Sequence, residues 1–185
     1  MRFEPGKIIE EFDLGGRNVR FRYPEKRDAE QLMNYINALV KDREFIGKQK
    51  PVSKQEEIKW LRSVLRGMRK GEMIDMVIEL DGKIVGNSQI EVNPLDAAKK
   101  SGEFSLGIIK EAQNMGIGKR LMDTLIKQSK LLKLKTIEID AFGLNERALH
   151  VYEGAGFRRA GTIPHYYNHY GKYCNKIILY REVPE

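Results

Sequence analysis

With 185 residues, of which 41% are hydrophobic and 32% charged, the sequence suits a single domain with one core over residues 1–185. It has no run of about 20 uninterrupted apolar residues, which excludes a membrane helix. The opening MRFEPGKIIEEF has no apolar centre of the export-signal kind. One cysteine, Cys174, excludes an internal disulfide and a cysteine-rich zinc site, so a reducing, cytoplasmic setting is expected. The net charge of +7 attracts polyanions, but the basic residues are interleaved with acids in KDREF, KQEEIK and YREVPE. That pattern weighs against nucleic acid and favours a small anionic ligand such as a nucleotide-bearing cofactor.

In chain order, IIEEFDL and NVRFRY flank Gly15-Gly16 and predict a hairpin within residues 1–23, with Val19, Phe21 and Tyr23 alternating against polar neighbours. Two helices are expected in 28–71. The first runs from Asp28 to about Lys41 with Leu32, Tyr35, Ile36 and Leu39 on one face. The second begins at Ser53, where Ser53 and Glu56 have capping-box spacing, and carries Ile58, Leu61, Leu65 and Met68 to Gly71. Met73–Leu80 and Lys83–Val92 flank Asp81-Gly82, a two-residue hairpin signal. After a polar loop over Asn93–Lys100, Glu103–Ile109 reads as a strand with Phe104, Leu106 and Ile108 on one face. KEAQNMG breaks the pattern, and a helix from Gly116 to about Leu132 turns Leu121, Met122, Leu125 and Ile126 inward. A strand over Thr136–Ala141, a helix over Glu146–Gly154 and closing strands over Phe157–Thr162 and Asn175–Arg181 follow. A loop rich in Tyr and His is expected between the last two. An antiparallel first half and a strand–helix–strand crossover in the second define an α/β (α+β) class.

The most informative stretch is Ile108-Ile-Lys-Glu-Ala-Gln113-Asn-Met-Gly116-Ile-Gly118-Lys119. A strand ends, a short loop with two glycines follows, and an amphipathic helix begins inside it. The first turn of a helix leaves backbone N–H groups unpaired at the positive end of the macrodipole. Glycines let that backbone close on an anion, which makes a ready pyrophosphate site. The stretch is neither G-x-G-x-x-G nor G-x-x-x-x-G-K-[ST]. A plain strand-to-helix turn with glycine chosen for packing explains Gly-x-Gly alone equally well.

Here the sequence resembles the GNAT superfamily of acetyl-CoA-dependent N-acetyltransferases. The family's cofactor motif, Q/R-x-x-G-x-G/A between a strand and a helix, reads Gln113-Asn-Met-Gly116-Ile-Gly118. Its downstream N-x-x-A-x-x-x-Y-x-x-x-G-F reads Asn145-Glu-Arg-Ala148-Leu-His-Val-Tyr152-Glu-Gly-Ala-Gly156-Phe157. The resemblance covers roughly Met73 to Tyr180. Glu103-Phe-Ser-Leu-Gly-Ile and Gly171-Lys-Tyr-Cys-Asn-Lys-Ile-Ile-Leu look like the Rim-type acetyltransferases and their small-molecule relatives. Lys110, Ala112 and Asn114 depart from residues common in the family, all on the approach to the loop.

The resemblance implies a mixed, mostly antiparallel sheet with helices on both faces and a splayed central parallel strand pair, and a cofactor-binding core over 73–181. Gln113, Asn114, Met115, Gly116, Ile117, Gly118 and Lys119 would hold the pyrophosphate of acetyl-CoA, chiefly through backbone N–H groups. Gly116→Val is expected to abolish that binding. Backbone near Leu106, Ile108 and Ile109 would pair with the pantetheine arm, with Asn145 and Ala148 on the far side; Asn145 reads equally well as a helix cap. Tyr152 would protonate the departing CoA thiolate, against the alternative of a core tyrosine with a satisfied hydroxyl. Glu103 is the candidate base for the attacking amine, with Glu79 and Glu91 behind it and a solvated strand-end carboxylate as the bland reading. His165 and His169 lack a third ligand nearby, so no metal is expected. Trp60 reads as core or as acceptor-site lining, and Cys174 as packing. The acceptor stays open among a protein N-terminus, a polyamine and another small amine; sheet edges allow a homodimer. A CoA-binding regulatory or scaffold module is the competing reading.

Overall fold

The structure, a computed structural model, describes residues 3–184. Its elements are β1 (Ile8–Asp13), β2 (Asn18–Arg22), α1 (Ala29–Lys41), α2 (Lys54–Lys70), β3 (Met73–Leu80), β4 (Lys83–Val92), β5 (Ser101–Ile108), α3 (Ile117–Leu131), β6 (Thr136–Phe142), α4 (Glu146–Gly154), β7 (Arg158–His169) and β8 (Lys172–Glu182). Short 3-10 turns precede α1, β5 and α3. The strands follow the order β1-β2-β3-β4-β5-β6-β8-β7 in one eight-stranded sheet. The pairs β1-β2, β2-β3, β6-β8 and β7-β8 are antiparallel and β5-β6 is parallel. This is the mixed, mostly antiparallel sheet that the sequence led us to expect. The chain forms two compact units, Met1–Gln89 with Leu106–Ile117, and Ile90–Ser105 with Gly118–Glu185.

In the first unit the hairpin β1-β2 pairs on to β3 through Val19↔Leu80 and Phe21↔Ile78, and these inward side chains are buried. The capping box of α2 is present: Glu56 N–H donates to Ser53 Oγ at 3.3 Å, and Ser53 N–H to Glu56 Oε2 at 2.7 Å. Gly71 closes the helix at φ +74, a left-handed conformation that favours glycine. Asp28, expected as the first residue of α1, ends the preceding 3-10 turn, because its carboxylate is drawn into a buried network. Arg22 donates to both Asp28 oxygens at 2.7 and 2.9 Å and, through Nε and Nη2, to Glu79 Oε1 at 2.8 and 2.6 Å. Glu79, a lesser candidate base, is thereby committed to structure.

In the second unit Leu121, Met122 and Leu125 of α3 are buried as their spacing requires. An aromatic cluster joins β5 to α4 and to the residue that leads into β7: Phe104 of β5 lies 6.3 Å from Tyr152 of α4 and 6.3 Å from Phe157, centroid to centroid. The Tyr- and His-rich loop expected between the closing strands is instead the far end of a long hairpin, and the closing strands are longer than their predicted bounds. Tyrosine is a good strand former. Tyr170 and Gly171 have φ +49 and +91, the pattern of a tight two-residue hairpin turn. Pro164, which argued for a loop, sits where the register shifts between Ile163 and Tyr167, and His165 there takes φ +53. An irregular step needs no ladder N–H from proline.

Candidate active site

The glycine loop forms as the pattern predicts. Ile109–Ala112 turns tightly after β5, with Ala112 N–H donating to Ile109 O at 3.0 Å. Gln113 Nε2 reaches back to Ile108 O at 2.8 Å and ties the loop to the strand. Asn114 and Gly116 take φ +61 and +82, and α3 begins at Ile117. The N–H groups of Gly116 to Lys119 have no acceptor among the described residues. They point out of a helix end that carries partial positive charge.

The two glycines are there for different reasons. A Cβ on Gly116 would meet nothing within 4 Å, yet its left-handed φ alone favours glycine. Gly118 has no such conformational demand, and its Cβ would meet only Val151 Cγ1 at 3.9 Å, an ordinary contact. Packing therefore does not explain Gly118. Unpaired donors with open space beside Gly118 suit a pyrophosphate.

The segment Leu106–Ile109 already spends some of its backbone groups. Ile109 N–H donates to Val85 O at 2.9 Å, and Ile108 O accepts from Gln113. Ile109 thus offers no amide to an added strand. The parallel pairing of β5 with β6 covers Ser101–Glu103 against Thr136–Glu138.

Asn145 caps α4, its Oδ1 accepting from Ala148 N–H at 3.2 Å. Its Nδ2 has no partner among the described residues, so one side chain can cap the helix and contact a ligand. Tyr152 is 6% exposed, and burial pushes its hydroxyl well above the usual phenol value. That hydroxyl has no hydrogen-bond partner among the described residues.

Glu103 lies on β5 opposite Glu138 of β6. Partial burial raises its carboxyl, Asp140 and Glu138 add to the rise, and Lys176 opposes it. Lys176 is paired with Asp140 and lies 4.9 Å from the centre of the Tyr166 ring. Tyr167 stacks on Phe142 at 3.9 Å between centroids. Tyr166 and Tyr167 fall in the Tyr- and His-rich stretch that the sequence offers as an aromatic wall or an ordinary anchored loop, whereas Asp140 and Lys176 escaped the sequence reading; the alternation of Glu138 and Asp140 on β6 was the available signal for part of this cluster.

The glycine loop between β5 and α3 and the buried phenol on α4 stand at the two motifs that the sequence pattern singles out. The acetyltransferase (GNAT) family profile matches residues 33–157, and the chain belongs to that family. Mycothiol acetyltransferase of Propionibacterium freudenreichii subsp. shermanii is 31% identical over 44% of this chain, which spans 26% of that protein. L-amino acid N-acetyltransferase AaaT of Escherichia coli K12 is 27% identical over 57% of this chain and 66% of its own length. YncA of Salmonella typhimurium, solved with its cofactor acetyl-CoA, has the same fold, with a TM-score of 0.79 at 16% identity over 90% of this chain and 95% of that one.

Proposed function

We propose that this chain moves the acetyl group of acetyl-CoA onto a primary amine by direct attack, with both substrates bound together. The observation that carries this reading is the run of N–H groups at Gly116–Lys119 without an acceptor among the described residues, around Gly118, a glycine that no contact among those residues requires. Bound acetyl-CoA supplies an activated thioester carbonyl, and this chain's residues do the rest. Gly116 to Lys119 hold the phosphates, and Asn145 steadies the arm. Glu103 accepts the proton that the amine loses as the C–N bond forms. Tyr152 donates its O–H to the departing sulfur as the C–S bond breaks. A raised phenol alone is a poor match for a free thiol of pKa about 8.5. Apolar surroundings raise a thiol as well, so a sulfur held beside Phe104 and Tyr152 shifts in the same direction.

The acceptor belongs to the class of peptide N-termini, polyamines and small amines, and the Rim-like stretches favour a peptide α-amine. A single catalytic domain in a reducing, cytoplasmic setting completes the proposal, supported by one buried, unpaired cysteine. The test is calorimetric titration with acetyl-CoA, followed by thiol release with a panel of amines. Binding with release is expected. Binding without release from any amine would favour the regulatory module, and no binding by folded protein would overturn the cradle.

A further inference from the structure

The first unit buries a carboxylate that this chemistry leaves unused. Glu57 of α2 is only 7% exposed. Its side chain accepts no hydrogen bond and forms no ion pair among the described residues. Asp28 and Glu79 are buried as deeply, but Arg22 holds both. Lys48 acts on Glu57 through space and opposes the effect of its burial. Neither Glu57 oxygen is among the sealed, unpartnered polar atoms, so an arriving cation can reach the carboxylate and offset the cost of its burial.

Its surroundings suit one kind of cation. Tyr35 of α1 is buried and feels the charges of both Glu57 and Asp75, while Asn87 N–H donates to its hydroxyl. Asp75 of β3 is fully buried and accepts from Asn87 Nδ2 at 2.7 Å. A Cβ on Gly107 would run into the Tyr35 hydroxyl, so that hydroxyl lies against the backbone of the segment proposed to hold the pantetheine arm. Trp60 follows Glu57 by three residues and shares its side of α2, half-buried. Carboxylate, phenol and indole together attract an ammonium group. Two carboxylates beside one phenol repel a ligand that brings a carboxylate of its own.

We propose that Glu57 receives the ammonium group of the acceptor, and that this acceptor is a primary amine whose α-carbon bears no carboxylate. The proposal rests on the transferase reading, because it places the acceptor beside the arm of acetyl-CoA. It assigns Glu57 to positioning and specificity, with proton removal left to Glu103.

The test uses the full chain with alaninamide, n-butylamine and alanine at neutral pH, in wild type and Glu57→Gln. Binding is read by calorimetry and by the shift in melting temperature, with CoA present. Alaninamide and n-butylamine are expected to bind and stabilise the wild type, and alanine to do neither. Glu57→Gln should weaken the first two about ten- to hundredfold, the loss of a charge-assisted hydrogen bond, and keep its affinity for acetyl-CoA. Alanine binding as well as alaninamide would overturn the proposal. So would unchanged amine affinity in Glu57→Gln, or no amine binding to the wild type. Amine binding as expected without thiol release would remove the transferase reading and leave the ammonium site. Thiol release with the same KM in both proteins would do the reverse.

Discussion

Gly118→Ala separates a structural glycine from a ligand-binding one, because the two roles predict opposite signs. Gly118 is the second residue of α3, and its Cβ would meet only Val151 Cγ1 at 3.9 Å. Alanine there fits the chain and removes the helix penalty of glycine, so the fold should gain about 0.5–1 kcal/mol. The same methyl occupies the space in which a phosphate oxygen would meet the N–H groups of Gly116 to Lys119. Losing one charge-assisted hydrogen bond there costs about 1.5–3 kcal/mol, roughly ten- to hundredfold in affinity. Urea unfolding reads the first effect and calorimetry with acetyl-CoA the second. A more stable protein that binds acetyl-CoA as tightly as wild type would refute the cradle. Gly116→Val is the weaker test, since φ +82 strains a branched residue whether or not a ligand binds.

Tyr152→Phe removes a hydroxyl without a partner among the described residues, so stability should change by less than about 0.5 kcal/mol while kcat falls about 100-fold or more; unchanged thiol release would exclude Tyr152 as the donor. Glu103→Gln should erase the acid limb of the kcat/KM profile, which lies above the ordinary glutamate range because Glu103 is raised, and leave the limb set by the amine; an acid limb that survives points to another base. Arg22→Met leaves Asp28 and Glu79 buried without their partner and should cost about 3–5 kcal/mol in urea unfolding; a loss under 1 kcal/mol would mean that the network is not load-carrying. Burial raises Glu57 above its ordinary 4.5, against the opposing pull of Lys48 and beside Tyr35 of α1. Folding therefore disfavours its charged form, so a penalty absent below the unfolded pKa grows as pH rises above it and levels off beyond the folded one. Glu57→Gln should match wild-type stability near pH 4 and exceed it at pH 8, and equal urea midpoints at both would show that Glu57 ionises without cost.

Periodicity and turn chemistry carried most of the fold. Met73–Leu80 and Lys83–Val92 stand at their predicted bounds because Asp81-Gly82, with φ +52 and +79, fixes both strand ends. Glu146–Gly154 does so because Asn145 caps it. The hairpin end at 163–173 was hidden because Pro164 and Gly171 signal a loop, and only the ladder shows that both fall at an irregular step and a turn. Glu57 was hidden for another reason. It sits one residue after the capping Glu56 and before Ile58, so by pattern it belongs to the acidic first turn of an exposed helix. The Arg22–Asp28–Glu79 network joins residues up to 57 positions apart, and no local pattern encodes such a pairing.

On the proposed assignment, the alternation of β5 keeps the base candidate Glu103 and the acid candidate Tyr152 from quenching each other. Successive strand residues face opposite sides. Phe104 packs on Tyr152 and Phe157, so Glu103 faces the other way, toward Asp140, Glu138 and Lys176. A phenol and a carboxylate on the same side would hydrogen-bond, and the proton meant for sulfur would be shared with the base. The strand itself keeps them apart. Its parallel pairing with β6 runs from Ser101 to Glu103, so Glu103 is the last residue of that pairing and Phe104 the first beyond it. The proposed base and the aromatic contact of the proposed acid thus fall on two adjacent residues, at the end of the parallel ladder.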